Sequence, residues 1–248
     1  MNFIGIIPAR YQSTRFPGKP LVLLHGKPIV QWVYENAKKS LDEVYVATDD
    51  ERIFRAVEAF GGKAVYTSSH HQSGTDRCAE AVQELSKKIP VDVVVNIQGD
   101  EPFIRPEQID SLKACFDTPD TQIATLIKLI TRADEIFNIN RPKVVINQKN
   151  EALYFSRSPI PFTRGFSQEK WISQTNYYSH IGMYAYRFDI LPELTKLSVG
   201  MLEKAESLEQ LRWLENGYRI KTALTPFENI GIDTPEDLEN AKKFLNRE

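Results

Sequence analysis

The sequence lacks the features that mark several simple functional classes. It has two cysteines, Cys78 and Cys115, and they form no C-x-x-C pair, so neither a zinc site nor a disulfide framework is predicted. No apolar run approaches the roughly 18 residues that a membrane-spanning helix requires, and the amino-terminal segment has no secretion-signal pattern. The net charge of −2 argues against a nucleic-acid or membrane-surface binder. We therefore expect a cytoplasmic protein.

Two common phosphate-binding motifs are also absent. There is no G-x-G-x-x-G, and the opening loop lacks the residues that a Walker A loop needs beside its lysine. This loop nevertheless places Arg10, Arg15 and Lys19 after an apolar segment, residues 3–7, that predicts a buried strand. Positive charges and backbone N–H groups at the carboxyl end of a strand can hold a polyphosphate. The alternative is an ordinary basic surface loop.

The hydrophobic pattern predicts an α/β fold. Up to about residue 120, strands and helices alternate, which is typical of a parallel sheet with helices on both faces. The predicted strands are 3–7, 43–48, 64–67 and 92–97, and the predicted helices are 28–39, 51–60, 76–88 and 106–116. Further along, we predict strands at 123–130, 143–148, 152–155, 177–186, 219–224 and 229–232, helices at 203–216 and 235–245, and loops from 157 to 175.

Four loops are expected outside the carboxyl ends of strands, where open α/β sheets bind ligands. Besides the basic loop, they are His71–Arg77, Gln98–Pro102 and Ile230–Glu236. The first of these offers short side chains and directed donors that suit a flat base, although a turn and a helix cap would explain it too. Asp100 and Asp233 each follow a strand and could hold a divalent cation, although an acidic turn and a helix cap are the alternatives.

The second half of the chain supplies another polar set. Arg157, Arg164, His180 and Gln210 could together bind an acidic, hydroxylated substrate. A histidine in an aromatic strand is more often a core or interface residue than a catalyst, and a polar pair such as Glu209-Gln210 is common on helix surfaces. The sequence alone does not show that they converge.

Six motifs in this order resemble the 3-deoxy-manno-octulosonate (Kdo) cytidylyltransferase family. They are Pro8-Ala9-Arg10-Tyr11-x-Ser13-Thr14-Arg15-x-Pro17-Gly18-Lys19-Pro20-Leu21, His71–Arg77, Asn96–Pro102, Ala152–Arg157, Glu209–Arg212 and Gly231–Leu238. The opening motif is similar to that of spore-coat-type cytidylyltransferases as well, whereas the HQSGTDR, QGDEP and LYFSR motifs favour the Kdo enzymes. The Gly-x-Gly opening of sugar-1-phosphate nucleotidyltransferases is absent.

The resemblance implies a Rossmann-like, GT-A-like nucleotidyltransferase fold with a mostly parallel sheet and a smaller antiparallel extension. It implies a single domain over residues 1–248, with a CTP-binding half at about 1–120 and a sugar-binding and dimerisation half at about 121–248. The implied reaction is CTP + Kdo → CMP-Kdo + pyrophosphate, with Mg²⁺, for lipopolysaccharide biosynthesis. A cytoplasmic homodimer is implied, with small-molecule substrates and no nucleic-acid or membrane partner.

The same resemblance assigns roles to the candidate residues. Arg10, Lys19 and Asp100 are the implied catalytic residues, and Asp100 and Asp233 are the implied metal ligands. The implied nucleotide-binding residues are Ala9, Arg10, Ser13, Arg15, Lys19, Ser73, Gly74, Arg77 and Gln98, and the implied sugar-binding residues are Arg157, Arg164, His180 and Gln210. Transfer to an amino-substituted Kdo or another sugar acid is the alternative within the enzyme class. A nucleotide-binding protein without catalysis is the alternative outside it.

Overall fold

The computed structural model describes residues 1–12 and 15–246. The chain divides into two compact units, one made of Met1–Asp110 with Asn229–Glu248 and the other of Ser111–Glu228. The carboxyl-terminal segment therefore belongs to the same unit as the amino-terminal strands. The expectation of one domain with halves that divide near residue 120 stays a prediction. No helix among the described residues is both long enough and apolar enough to cross a membrane.

The first unit shows the predicted alternation of strands and helices. Its elements before residue 111 are β1 (Phe3–Pro8), β2 (Leu23–Leu24), β3 (Lys27–Pro28), α1 (Ile29–Ala37), β4 (Glu43–Thr48), α2 (Glu51–Ala59), β5 (Ala64–Tyr66), α3 (Gly74–Leu85), β6 (Val93–Asn96) and the first five residues of α4 (Pro106–Ala114). Helix α2 begins after Asp50, whose carboxylate accepts the N–H of Arg52, and α3 begins with a capping box between Ser73 and Asp76. The polar caps thus fix where each helix starts.

The four long strands of this unit form a parallel sheet with β1 near its centre. Strand β1 pairs with β6 on one side and β4 on the other, and β4 pairs with β5. The side chains of Ile4, Ile6 and Ile7 in β1 are buried, as expected for a central parallel strand. Because the pairing is parallel, the segments after β1, β4 and β6 all leave the sheet at one edge.

The chain segments after β1 and β6 approach each other closely at that edge. A Cβ atom added at Gly99 would lie only 2.8 Å from the carbonyl oxygen of Pro8. A Cβ atom at Gly74 would lie 3.3 Å from the ring of Pro8. Glycine at position 99 is therefore required by the contact between two backbones, and this contact brings the loop of Asp100 against the basic loop.

The second unit contains a mixed, mainly antiparallel sheet. Its elements are β7 (Ile123–Leu129), α5 (Ala133–Ile136), β8 (Lys143–Ile146), β9 (Ala152–Ser156), β10 (Tyr178–Arg187), α6 (Leu191–Leu194), α7 (Met201–Glu206), α8 (Gln210–Glu215) and β11 (Ile220–Leu224). Strand β7 pairs parallel with β11 and antiparallel with β10, and β8 pairs antiparallel with both β10 and β9. The parallel sheet of the first unit and this extension confirm the predicted fold class.

Helix α9 (Pro235–Leu245) returns the chain to the first unit. Its buried Leu238 and Ala241 pack with Leu24, Ile29 and Ile232 in one apolar cluster. Burial of this face holds the end of the chain against the β2–α1 region. The segment that precedes α9 is thereby fixed in the unit that carries the basic loop.

Two predicted elements were wrong. The segment 203–216 is not one helix: α7 ends before Ser207, which has left-handed dihedral angles (φ 51°, ψ 49°), and α8 starts at Gln210. Residues 229–232 form no strand. In addition, the predicted loop between 157 and 175 includes a short 3-10 helix, Gln168–Ser173. Amphipathic spacing continues across the break at Ser207, so hydrophobic pattern alone could not reveal it.

We expect Gly99→Ala to lower the free energy of unfolding by about 1–3 kcal/mol, because the new methyl group overlaps the backbone of Pro8. Urea unfolding measures this change. Gly182→Ala is the matched control, since a Cβ atom at Gly182 meets nothing within 4 Å and should cause no loss of stability. Equal stability of Gly99→Ala and the wild type would contradict the close approach.

Candidate functional site

A polar cavity of about 300 Å³ lies in the first unit, at the carboxyl ends of β1 and β6. All described residues that were predicted to bind the nucleotide or the metal line this cavity. The lining residues are Pro8, Ala9, Arg10, Arg15, Lys19, Pro20, His71, Gln72, Ser73, Gly74, Arg77, Gln98, Gly99, Asp100 and Asp233. Ser13, which was also predicted to bind the nucleotide, lies outside the described residues.

The basic loop is held in shape by Tyr11 and Gly18. Gly18 has a positive φ of 73°, its N–H donates to the carbonyl of Tyr11 at 2.9 Å, and the Tyr11 ring lies against it. The guanidinium of Arg52 covers the Tyr11 ring at 3.3 Å from its centroid and also pairs with Asp50. The loop is therefore fixed at both ends, while the side chain of Arg10 is exposed to solvent.

Lys19 connects the two acidic loops of the cavity. Its Nζ atom lies 2.5 Å from Oδ2 of Asp100 and 2.9 Å from Oδ1 of Asp233, and Arg15 contacts the other oxygen of Asp233 at 3.0 Å. Burial opposes the charge on Lys19, but the two carboxylates outweigh it and raise its pKa. Burial likewise opposes the charge on Asp233, but Lys19 and then Arg15 lower its pKa. Lys19 and Asp233 are therefore both charged at neutral pH.

Several residues that were not predicted hold the two acidic loops together. The N–H of Ile232 donates to the carbonyl of Asp100 at 2.9 Å. The side chain of Asn229 donates to Glu101 and accepts from Gln108 at 2.8 Å. Burial raises the pKa of Glu101 to about 8, and the neighbouring Asp100 adds to the effect. These contacts place Asp233 beside Asp100. They join residues more than 100 positions apart in the chain, so the sequence alone does not reveal them.

The carboxylates of Asp100 and Asp233 form a donor set that fits Mg²⁺. Both carboxylates approach the single Nζ atom of Lys19, so they already converge on one positive charge. Among the described residues no group of three or more His, Cys, Asp or Glu side chains could hold a metal. A pair of carboxylates suits Mg²⁺, which usually keeps several waters and takes its other ligands from substrate phosphates.

The loop at residues 71–77 is built mainly by its own structural bonds. Ser73 accepts the N–H of Asp76 at 3.1 Å as the cap of α3, and His71 contacts the carboxylate of Glu80. Arg77 is buried, where it donates to Thr67 at 2.6 Å and pairs with Asp49 at 3.0 Å. The guanidinium thus ties α3 to the ends of β4 and β5. Its role in nucleotide binding stays a prediction.

In the second unit, the guanidinium of Arg157 is occupied by backbone carbonyls. Its nitrogens donate to the carbonyls of Glu206 (2.7 Å), Ile139 (3.0 Å) and Ser207 (3.3 Å). Arg164, by contrast, is exposed. The predicted contact of Arg157 and Arg164 with a substrate stays a prediction.

The other two predicted residues, His180 and Gln210, belong to one aromatic cluster. The ring of His180 lies 5.3 Å from that of Tyr184, which lies 5.1 Å from Trp213. Gln210 is three residues before Trp213 on α8, so the two side chains share a face of the helix. Both are at least 95% buried, and no described residue pairs with Nε2 of Gln210 or Nε1 of Trp213.

The electrostatics of this cluster keep it neutral. Burial lowers the pKa of His180 to about 3, so its imidazole is uncharged at neutral pH, with Nε2 3.0 Å from the hydroxyl of Thr125. Burial also raises the pKa of Tyr184 well above its usual range. Buried donors without partners are costly, so Gln210 and Trp213 are suited to a ligand that offers oxygen acceptors. Trp213 and Tyr184 were not predicted, because aromatic residues in a strand and helix match core packing equally well.

Comparison with known families and proteins gives consistent results. A family model described as cytidylyltransferase matches residues 4–246. The chain is 60% identical over 249 residues to a 3-deoxy-manno-octulosonate cytidylyltransferase of Bacteroides thetaiotaomicron, covering 99% of this chain and 98% of that protein. It is 59% identical, with the same coverage, to the protein of that name from Parabacteroides distasonis.

A solved structure is similar to this chain over nearly the whole length of both. It is that of CMP:2-keto-3-deoxy-manno-octonic acid synthetase complexed with CTP. The TM-score is 0.91 at 43% sequence identity, and the match covers 100% of this chain and 99% of that one.

We expect the stability of the protein to fall when the pH drops below 6.5, because the unfolded chain then binds a proton at His180 that the folded protein excludes until about pH 3. The contribution from this residue is at most about 1.4 kcal/mol per pH unit. It is fully present above pH 6.5 and is lost as the pH falls. Urea unfolding at pH 7.5, 6 and 5 should show a shallower pH dependence for His180→Gln than for the wild type. The exposed His25→Gln is the control, and equal slopes for all three proteins would contradict the assignment.

Proposed function

Since the chain belongs to the 3-deoxy-manno-octulosonate cytidylyltransferase family, we propose that it transfers CMP from CTP to the anomeric hydroxyl of Kdo. It is a nucleotidyltransferase, and its products are CMP-Kdo and pyrophosphate. The observation that carries the proposal is the cavity in which three basic side chains and two carboxylates converge at the carboxyl ends of β1 and β6. We assign CMP-Kdo to lipopolysaccharide biosynthesis and, since CTP is a metabolite of the cell interior, the reaction to the cytoplasm.

The basic loop binds the triphosphate. In the reaction the sugar hydroxyl loses its proton to solvent and its oxygen forms a bond to the α-phosphorus. The bond from that phosphorus to the bridging oxygen breaks, and pyrophosphate leaves with the added negative charge. Arg10, Arg15 and Lys19 stabilise this charge, because their fixed positive groups line the cavity before the substrate arrives. The rigid Tyr11–Gly18 contact keeps their positions from depending on the substrate.

Asp100 and Asp233 would hold Mg²⁺ within the same cavity. When bound, the ion polarises the α-phosphate and neutralises part of the triphosphate charge. The two carboxylates are held in place by the bond from Ile232 to Asp100 and by the Asn229 contacts. Lys19, which contacts both of them, couples the metal ligands to the phosphate-binding loop.

The loop at residues 71–77 and Gln98 bind the nucleoside. Gly74 and Ser73 present backbone at the start of α3, and the absence of a side chain at Gly74 lets it lie against Pro8. Arg77 fixes the position of this loop, because its guanidinium donates to the hydroxyl of Thr67 and pairs with the carboxylate of Asp49. Ala9 and Gln98 line the same cavity, where they would contact the base and the ribose.

The aromatic cluster of the second unit binds the sugar acid. Gln210 and Trp213 donate N–H groups to its oxygens, and the neutral His180 offers a further polar atom without adding charge. The exposed guanidinium of Arg164 is suited to the carboxylate, since it can bond both oxygens. Arg157 is committed to carbonyl groups and therefore contributes less directly.

A second copy of the chain covers an apolar patch on the second unit. Phe162 is 73% exposed and Phe166 is 47% exposed. The rings of Phe137 and Phe162 both lie against that of Trp171, whose indole donates to the carbonyl of Phe166 at 3.1 Å. The aromatic residues of β10, by contrast, are largely buried within the chain. Contiguous exposed aromatic residues are typical of an interface, and this patch is our candidate for the homodimer contact.

The activity is tested by incubating the protein with CTP, Mg²⁺ and Kdo and measuring pyrophosphate. We expect release that depends on all three. Release with 8-amino-Kdo and none with Kdo would change the substrate assignment. Binding of CTP without release for any sugar acid would favour a nucleotide-binding protein without catalysis.

We expect Asp100→Asn to lower kcat by at least about 100-fold, because it replaces one of the two charged carboxylates that would hold Mg²⁺ beside the triphosphate. Steady-state pyrophosphate release measures this change, and circular dichroism checks the fold. Asp42→Asn is the matched control, because Asp42 is an exposed carboxylate of the same unit. A loss of less than tenfold would contradict the role of Asp100.

We expect Phe162→Ser to weaken the homodimer by about tenfold or more, because it removes a large exposed aromatic side chain from the patch. Sedimentation at several protein concentrations measures the monomer–dimer equilibrium. Leu23→Ser is the control, since it changes an exposed apolar residue of the first unit. A monomeric wild type, or an unchanged dimer in Phe162→Ser, would contradict the proposed interface.

A further inference from the structure

The turn between α7 and α8 is fixed to the end of β9 by two residues that bond in both directions. The carboxylate of Glu206 accepts from the hydroxyl of Ser156 at 2.6 Å and from the N–H of Arg157 at 2.9 Å. In return, the guanidinium of Arg157 donates to the carbonyls of Glu206 and Ser207. We call this set, Ser156, Arg157, Glu206 and Ser207, the turn clamp.

The clamp satisfies groups that would otherwise lack partners. The last carbonyls of a helix have no acceptor role within the helix, and those of Glu206 and Ser207 receive the guanidinium instead. Ser207 also adopts a left-handed conformation that a residue other than glycine rarely takes. Such a conformation persists only when its surroundings hold it, and the clamp supplies that hold.

A buried lysine extends the clamp into the sheet. Lys143 is completely buried, and its Nζ atom donates to the carbonyls of Arg157 (2.7 Å) and Asn138 (2.8 Å). Burial lowers the pKa of Lys143. Its position in β8 is directly opposite Ser156 in β9, so the clamp is anchored on the strand pair. The turn therefore cannot shift without breaking bonds to the sheet.

The position of this turn decides which way α8 faces. An uninterrupted helix over residues 203–216 would advance by 100° at every residue, which is what the sequence pattern predicts. The break at Ser207 resets that rotation before Gln210 and Trp213. A second tie, the pair of Arg212 and Glu203 at 2.6 Å, joins α8 to α7, so that both helices move with the turn.

We propose that Glu206 is a positioning residue for the sugar acid. Through Arg157 and the turn at Ser207, it sets the orientation of α8. It thereby directs toward the substrate the N–H groups of Gln210 and Trp213, which have no partner among the described residues. This inference rests on the proposed function, because it assigns these donors to Kdo.

The first test is Glu206→Gln, which keeps the shape of the side chain and replaces one acceptor oxygen with a donor. The amide removes the negative charge that accepts from the hydroxyl of Ser156 and the N–H of Arg157, so both bonds weaken and the turn loosens. We expect KM for Kdo to rise about tenfold, the size of one lost hydrogen bond, while KM for CTP changes less than twofold. Glu193→Gln is the matched control, since that exposed carboxylate pairs with Tyr218 away from the clamp.

The second test separates positioning from general loosening. In the background Gln210→Ala with Trp213→Phe, the donors are gone, so Glu206→Gln should raise KM for Kdo by less than twofold further. An equal tenfold rise in both backgrounds would overturn the proposal, as would a wild-type KM for Kdo in Glu206→Gln.

A third measurement does not depend on the reaction. In Glu206→Gln we expect faster amide hydrogen exchange over residues 207–213 and a shifted indole N–H resonance of Trp213, with unchanged exchange in β1 and β4. An unchanged Trp213 signal would overturn the clamp even if the wild type did not use Kdo. An inactive wild type with a shifted Trp213 signal would instead count against the proposed substrate alone.

Discussion

The ammonium group of Lys19 lies between Asp100 and Asp233, and the arrangement of the first unit depends on this contact. Three separated segments must meet for it to form: the loop after β1, the loop after β6 and the segment before α9. Each segment has its own structural support, in the Tyr11–Gly18 contact, the Gly99–Pro8 approach and the Asn229 bonds. Because opposite charges offset the burial of each group, the site is assembled before any substrate binds.

The aromatic cluster of the second unit differs from the cavity of the first unit, because its polar side chains are neutral. His180 is neutral, and Gln210 and Trp213 keep N–H groups in a buried place without partners among the described residues. An uncompensated donor destabilises the folded protein, so its retention is best explained by a ligand that completes the bond. The proposed function therefore assigns the phosphates to the fixed charges of one unit, and the sugar acid to the directed neutral donors and Arg164 of the other.

Most of the lining of the polar cavity in the first unit could be predicted from the sequence, because parallel sheets bring the loops after their strands together at one edge. Arg10, Lys19, Asp100 and Asp233 follow strands or precede a helix, and the edge of the sheet brings them together. Arg157 illustrates the limit of this reasoning. Its position after β9 suggested a substrate contact, but its guanidinium bonds carbonyls that only the folded chain supplies. The prediction of a continuous helix over 203–216 was wrong for a related reason. The break at Ser207 lies next to Glu206, whose carboxylate bonds Ser156 and Arg157 about fifty positions away.

The sequence by itself determined the α/β class, most strand positions, the basic loop and, through ordered motifs, the family. These are local properties, because they follow from hydrophobic periodicity, helix caps and short runs of residue types. Only the tertiary structure decided which charges pair, that Gly99 must lack a side chain, and that Trp213 and Gln210 share a face with N–H groups that no described residue accepts. Those properties depend on distances between segments far apart in the chain, and close packing and hydrogen bonding set such distances.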